Sequence, residues 1–512
     1  MAKKTKRSEA ATDGADANAG NGVAPTEEFE LKLEVDPSSL DALLATALLN
    51  SATATDRVQD SVYFDTPGEA VRKAGFSLRV RTIGDRRIQT IKAESAAAAG
   101  LFVRSEWERD VDRADPVLDD TPLPGAIDEA QLQQLAPVFH VKVLRKTVLL
   151  ERDGASIEAV LDRGEIVAGD RSDRVLEIEL ERKQGDPAAM FDVAREIDRI
   201  APLRLGVLTK SERGYALGSA APDKPVKASA LALQPGTTTA AAFQAIVGAC
   251  LRQFRLNEAI LARTGNAGAL HQARVALRRL RSALSTFKQV VRDDDYDRIR
   301  TELRWIAGEL GRARNLDVLL DRVPGKAAAA PLRAAHGTAY AAVHAALASA
   351  RLRGLMLDLS EWAAIGVWMS DPATAETRDR PIEGFAADAL RKHRRRLKRL
   401  GRKLDRIGDE KRHAARIEAK KLRYATEFFA GLFPGKTPTR RYRRFAKALE
   451  ALQTHLGDLN DLATAPMVLA DLGLLGTPTA AALEPDLSRR APLLAKAVKA
   501  HDRLIDRKRF WT

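Results

Sequence analysis

The chain has 512 residues, too many for one hydrophobic core, so two or more domains are expected. One cysteine, Cys250, excludes an intrachain disulfide and a cysteine-rich metal site. The net charge of +14 hides a division: residues 221–512 carry 53 Lys and Arg against 30 Asp and Glu, a net of +23, and the rest carry 30 against 39, a net of −9.

Residues 1–26 open with MAKKTKRSE and have no apolar core after the basic start, so they do not read as a signal peptide. Their Ala, Gly, Asp and Asn content cannot bury enough surface to order them, and a disordered tail is expected. No run approaches the ~20 apolar residues of a membrane span. A cytoplasmic protein is expected.

From residue 27 short segments alternate with a period of two. EFELKLEV puts Glu28, Glu30, Lys32 and Glu34 on one face of a strand and Phe29, Leu31, Leu33 and Val35 on the other. SLRVRT sets Arg79 and Arg81 opposite Leu78 and Val80; IEAVLD aligns Glu158 with Asp162, and VLEIELER aligns Glu177, Glu179 and Glu181. SSLDALLATALLN and DPAAMFDVAREIDRIA read as helices. Strands closed into a barrel would turn such faces inward. A lumen of mixed charge is costly unless ions of both signs fill it: a divalent cation on the carboxylates, and phosphate on Lys32, Arg79, Arg81 and Lys92.

In sequence order EFELK, YFDTP, LRVR, TIKAE, RSEWERD, LDRGEI, EIELE and TKSERGY resemble the CYTH family of triphosphate tunnel metalloenzymes, over about residues 27–217. That resemblance implies an antiparallel β-barrel or tunnel of α+β class. It implies Mg²⁺ or Mn²⁺ held by Glu28, Glu30, Asp162, Glu177 and Glu179. Triphosphate would be bound by Lys32, Arg79, Arg81, Lys92, Arg145 and Lys210, with Glu28, Glu30, Lys32, Arg79 and Arg81 as the catalytic set. Arg104, Glu106 and Glu108 match the family's charged central strand. Hydrolysis by direct attack of water is expected, since no Ser, Cys or His nucleophile is suggested.

Composition shifts at SAAPDKPVKASALALQP, so the domains are drawn as 27–218 and 236–512 with a linker at 219–235. Beyond it the pattern is helical. HQARVALRRLR from His271 recurs as HAARIEAKKLR from His413, and ELGRARNLDV is echoed loosely by HLGDLNDLA. Offsets of 0, 3, 7 and 10 share one helix face. His271, Arg274, Arg278 and Arg281 therefore form one basic stripe, and His413, Arg416, Lys420 and Arg423 a second, expected to converge. Leu280 and Leu284 lie opposite. RKHRRRLKRLGRK, from Arg391, carries charge on every side and reads as solvated.

The duplicated motif resembles the CHAD family, the conserved-histidine α-helical domains, which implies an all-α duplicated bundle binding inorganic polyphosphate through the two stripes. CYTH followed by CHAD is the arrangement of bacterial inorganic triphosphatases. The leading expectation is metal-dependent hydrolysis of inorganic triphosphate, with polyphosphate bound by the second domain. The alternatives are a non-catalytic polyphosphate-binding or granule-associated protein, and a CYTH enzyme acting on an organic triphosphate. Nucleic acid is a poor partner: aromatic residues are only 5%, leaving few stacking platforms.

Overall fold

The computed structural model describes residues 26–93, 100–218, 223–323, 329–484 and 486–511. The expected tail and the start of the linker lie outside them. Nine strands come first: β1 (Thr26–Val35), β2 (Thr55–Asp65), β3 (Phe76–Ile83), β4 (Arg86–Ala93), β5 (Leu101–Asp110), β6 (Ala136–Arg152), β7 (Ala155–Ala168), β8 (Arg171–Gln184) and β9 (Leu203–Leu205). They form one antiparallel sheet in the order β5-β4-β3-β2-β6-β7-β8-β1-β9. The sheet curls round on itself, because β5 also pairs with β1, Leu31 facing Leu101 and Glu28 facing Arg104.

Strand alternation sorts the side chains. Leu31 and Leu33 of β1, Ile157 and Leu161 of β7, and Ile178 and Leu180 of β8 are fully buried on the outer face. Helix α1 (Ala188–Asp198) packs there through Met190, Phe191, Val193 and Ile197. Leu78, Val80 and Ile91 are buried in a second cluster with Phe64 and Val71. Helix α2 (Lys210–Leu217) lies across β6, β7 and β8, and its N-terminus is fixed by a capping box between Thr209 and Glu212.

The remaining helices of eight or more residues are α3 (Thr239–Thr264), α4 (Ala267–Val291), α5 (Asp294–Leu320), α6 (Ala330–Ala348), α7 (Ala350–Ile365), α8 (Ile382–Gly401), α9 (Asp409–Phe428), α10 (Lys436–Asp471) and α11 (Arg490–Ile505). Gly265, left-handed at φ 63°, ends α3, and the Asn266 side chain caps α4 by accepting from Gly268 N and Ala269 N. Aromatic rings fill the bundle: Phe243 packs against Phe287, Trp362 and Trp368, and Phe287 stacks on Phe385. One apolar core runs from the outer face of β1, β7 and β8 through α1 into α3, α4 and α7. Residues 223–235 are neither helix nor strand, yet they are tied down: Asn257 of α3 bonds both Val226 N and Val226 O at 2.9 Å.

Two local expectations are corrected. SSLDALLATALLN is not one helix; a 3-10 turn at Pro37–Ser39 leads into a helix of only five residues, Leu40–Leu44. The Thr46 hydroxyl donates to Leu43 O and the Asn50 amide to Leu44 O, side-chain bonds that compete with helix continuation. The Arg391 run is not charged all round, because α8 buries Leu390, His393 and Leu397. His393 Nδ1 lies 2.7 Å from Glu418, and Arg394 donates to Ile505 O. Lys392, Arg395, Lys398 and Arg399 are exposed.

Candidate functional site

The inward face of the curled sheet walls a cavity of about 440 Å³. Glu30 and Lys32 reach it from β1, Arg79 and Arg81 from β3, and Lys92 from β4. Glu106 and Glu108 enter from β5, Arg145 from β6, Glu179 from β8 and Lys210 from the first position of α2. Asp162 on β7 stands opposite both Arg145 and Glu177, and Lys32 stands opposite Glu179. The side chains of Glu28 and Arg104 lie outside the described residues.

Strand pairing forces the carboxylates together, and the cations settle among them. One oxygen from each of Asp162, Glu177 and Glu179 falls within 4.8 Å of the others. Lys210 Nζ lies 2.7 Å from Asp162, 2.5 Å from Glu177 and 2.8 Å from Glu179. Lys32 Nζ is 2.5 Å from Glu177, and Arg145 grips Asp162 through two bonds of 2.8 and 2.6 Å. Burial pushes the Asp162 carboxyl up, but Lys210 and Arg145 outweigh it and hold it below the usual range. Burial likewise opposes charge on Glu179, where Lys210, Lys32 and Arg145 hold the carboxyl well below it. Burial works against the Lys210 ammonium too, yet the three carboxylates raise it well above the ordinary lysine value.

The two arginines of β3 are less engaged. Arg79 Nη1 donates to Tyr63 OH at a long 3.4 Å. The Nε atoms of Arg79 and Arg81 are buried without a hydrogen-bond partner among the described residues. Lys92 pairs with Glu106 at 3.1 Å. Three clustered carboxylates suit a hard divalent cation, and orphaned guanidinium donors suit phosphate oxygens. The residues present therefore fit both groups.

In the helical half, α4 and α9 carry the two stripes and bury the opposite sides, Leu280 and Leu284 on α4 and Ala415, Ala419 and Leu422 on α9. Arg274, Arg278, Arg416 and Lys420 come together. Burial, then Arg416, Arg278 and Arg274, push the Lys420 ammonium down to about 7, against the pull of Asp461. His271 is pushed down to about 4 by burial and then by Arg314, Arg278 and Arg274. The Nε atoms of Arg278 and Arg416 are buried without a partner among the described residues. The stripe ends diverge. Arg281 faces Arg304 and Arg300 of α5, and Arg423 is held by Glu427 at 2.8 Å. His413 is exposed, with Nδ1 2.7 Å from Asn460. A Cβ on Gly311 of α5 would sit 2.6 Å from Arg274 Nη1, so only glycine leaves that guanidinium its place.

The CYTH-domain family model matches residues 26–215 and the CHAD-domain family model matches residues 245–470. The chain is a CYTH domain followed by a CHAD domain. Over 197 residues it is 27% identical to the inorganic triphosphatase of Haemophilus influenzae, covering 38% of this chain and 55% of that protein. The chain thus spans about half the length of that curated relative. Among solved structures, the CHAD domain of Ricinus communis is 31% identical, over 56% of this chain and 98% of that one, with a TM-score of 0.46. HpAC1 of Hippeastrum, reported to have a dominant triphosphatase activity, is 16% identical over 37% of this chain and 95% of that one, with a TM-score of 0.31.

Several residues of both domains escaped the sequence reading. In the CYTH domain, Lys183 bridges Glu158 at 3.3 Å and Glu181 at 2.8 Å at the cavity wall; the alternation 177, 179, 181 points to it directly. Arg213 contacts Glu177 at 3.5 Å from α2, and no periodicity could have revealed that. In the CHAD domain, Asp317 accepts from Tyr340 OH and sits 3.0 Å from His336 Nε2, and Asp461 faces Lys420. Asp317 and Asp461 lie inside the loose echo of ELGRARNLDV and HLGDLNDLA. No described helix is long and apolar enough to cross a membrane.

Proposed function

We propose that the CYTH tunnel hydrolyses inorganic triphosphate with Mg²⁺ or Mn²⁺, and that the CHAD domain binds inorganic polyphosphate at Arg274, Arg278, Arg416 and Lys420. The observation that carries this reading is one cavity lined both by Glu179, whose carboxylate clusters with those of Asp162 and Glu177, and by Arg79 and Arg81 with their unpartnered buried Nε donors. Bound at the carboxylates, the cation would neutralise charge on the phosphate oxygens. Arg79, Arg81 and Lys92 would hold the chain in line. Lys32, Arg145 and Lys210, which balance the carboxylates in its absence, would turn to phosphate oxygens. Phosphoryl transfer asks mainly for such positioning and charge neutralisation. No His or Cys lines the cavity among the described residues, and water is the proposed nucleophile.

An inorganic substrate is favoured over a nucleotide because Tyr63 is the one ring in the described wall and it already stacks on Phe139 at 4.6 Å. The test is phosphate release by the full chain from triphosphate, ATP and thiamine triphosphate, with Mg²⁺, Mn²⁺ or chelator. Metal-dependent release, fastest from inorganic triphosphate, is expected. Equal rates on ATP would reject the substrate assignment, and no release from any of the three would leave a polyphosphate-binding protein.

A further inference from the structure

Lys210 is delivered to the carboxylates by a segment that the CYTH domain does not hold alone. After β9 the chain runs through Gly206, Val207 and Thr209 into α2. Gly206 N donates to Lys32 O at 2.8 Å, and a Cβ on Gly206 would lie 2.8 Å from Lys32 Cγ. The segment therefore presses against the tunnel strand at the residue whose ammonium reaches Glu177.

Its outer side is gripped by α3 of the CHAD domain. Arg255, 3% exposed, donates from Nε to Leu205 O at 3.1 Å and from Nη2 to Glu34 at 3.3 Å, while Glu258 balances its charge. One turn earlier, Arg252 donates to Val207 O and reaches Glu212 Oε1 at 2.5 Å. Glu212 is the capping-box residue whose carboxylate accepts from Thr209 N at 2.9 Å, setting the first turn of α2 and so the origin of Lys210. Charge-assisted bonds to carbonyls and carboxylates are about twice as strong as neutral ones. Two arginines three residues apart thus fasten both ends of the short irregular segment between β9 and α2, beyond the pairing of β9 with β1.

We propose that Arg252 and Arg255 are positioning residues of the tunnel, so that the CHAD domain completes the triphosphatase site by fixing the backbone position from which Lys210 reaches into it. The proposal rests on the tunnel reading above for its effect on turnover, and on geometry alone for its effect on Lys210. Neither arginine touches the cavity, so both act through the 205–212 segment.

The experiment uses the full chain with Arg252→Met and Arg255→Met, singly and together, Arg252→Lys as the conservative variant, and Arg195→Met as an interface control. Arg195 of α1 bridges to Asp358 at 2.9 Å and to Glu361, both of α7, across the same domain junction, and none of its side-chain bonds goes to the 205–212 segment. Labelling of Lys210 by an amine-reactive reagent, read by peptide mass spectrometry, should be slow in the parent and about tenfold faster in the double variant as the segment opens locally. A displacement near 1 Å costs on the order of 100-fold in rate, so kcat for triphosphate should fall about 10- to 100-fold in the double variant, with a smaller change in KM. Arg252→Lys should restore part of kcat, and Arg195→Met should alter neither readout even where it lowers Tm. Unchanged Lys210 labelling in the double variant overturns the proposal, whatever the activity. So does an equal change in Arg195→Met, which would reduce the effect to general docking. A parent without turnover but with faster labelling in the variants would overturn the enzymatic reading and keep the positioning role.

Discussion

Asp162 has no exposed surface, and without Lys210 and Arg145 its carboxyl would be driven towards the neutral form. Removing one partner of a buried pair leaves the others uncompensated, typically at about 3–5 kcal/mol. Asp162→Asn should therefore lower the urea-unfolding free energy by ~3 kcal/mol near pH 7 and abolish triphosphate hydrolysis. The sign of its pH dependence follows from the depressed carboxyl. Its stabilisation is full above the unfolded value of about 4 and is lost as pH falls through the folded value, so parent and variant should converge in acid. A gap that widens on acidification would contradict the pairing.

Lys420 gives a second test at the same scale. Arg416 on its own helix, Arg274 and Arg278 of α4 and Asp461 of α10 are the charged groups around it, and its ammonium sits at about 7. A bound phosphate chain would raise that value, so binding takes up a proton once the free lysine has lost its own. Polyphosphate affinity should be flat below pH 7 and fall above it, by at most about tenfold per unit. Titration calorimetry in buffers of different ionisation heat would detect the uptake. Lys420→Arg should flatten the profile, and an unchanged profile would remove Lys420 from the site.

At the scale of elements, β1 and α4 show why some of the site is legible. A strand that buries Leu31 and Leu33 must turn Glu30 and Lys32 the other way, and a helix that buries Leu277, Leu280 and Leu284 must offer Arg274 and Arg278 to the opposite side. Whether two such faces meet is a matter of packing. The central four cations converge, but Arg281 lies instead beside the like-charged Arg300 and Arg304 of α5, and Arg423 is held by Glu427 of its own helix. Replacing Arg274, Arg278, Arg416 and Lys420 with Ala should thus flatten the slope of log affinity against log salt for long polyphosphate, at roughly 0.7 per lost contact. Replacing the exposed Lys392, Arg395, Lys398 and Arg399 of α8 removes the same number of basic side chains and should change the slope less. Equal losses in the two variants would mean that bulk charge, and no built cleft, attracts the polyanion.

For the whole molecule, the junction matters more than the linker composition suggests. Arg353 of α7 bonds Asp198 at 2.6 Å, Arg195 returns the contact from α1, and the apolar core is continuous across both. Apolar area shared between two units is exposed if either unfolds alone, which couples their melting. Scanning calorimetry of the full chain should show a single transition, and a fragment spanning residues 27–218 should melt lower than the intact protein. Two well-separated transitions would show that the junction contributes little.

The sequence alone determined the two fold classes, the inward and outward faces of the strands and the repeated basic stripe, because each follows from a local period of 2 or 3.6 residues. Lys32, Asp162 and Glu179 could be read that way. Only the tertiary structure decided which inward charges neutralise one another, that α8 buries His393 against Glu418, and that Arg252 and Arg255 reach into the other domain. Those pairings join residues 25 to 221 positions apart, on elements of different period, and their energy comes from charged and polar groups meeting away from water. No local pattern records such an encounter, since either partner alone has the appearance of an ordinary solvated residue.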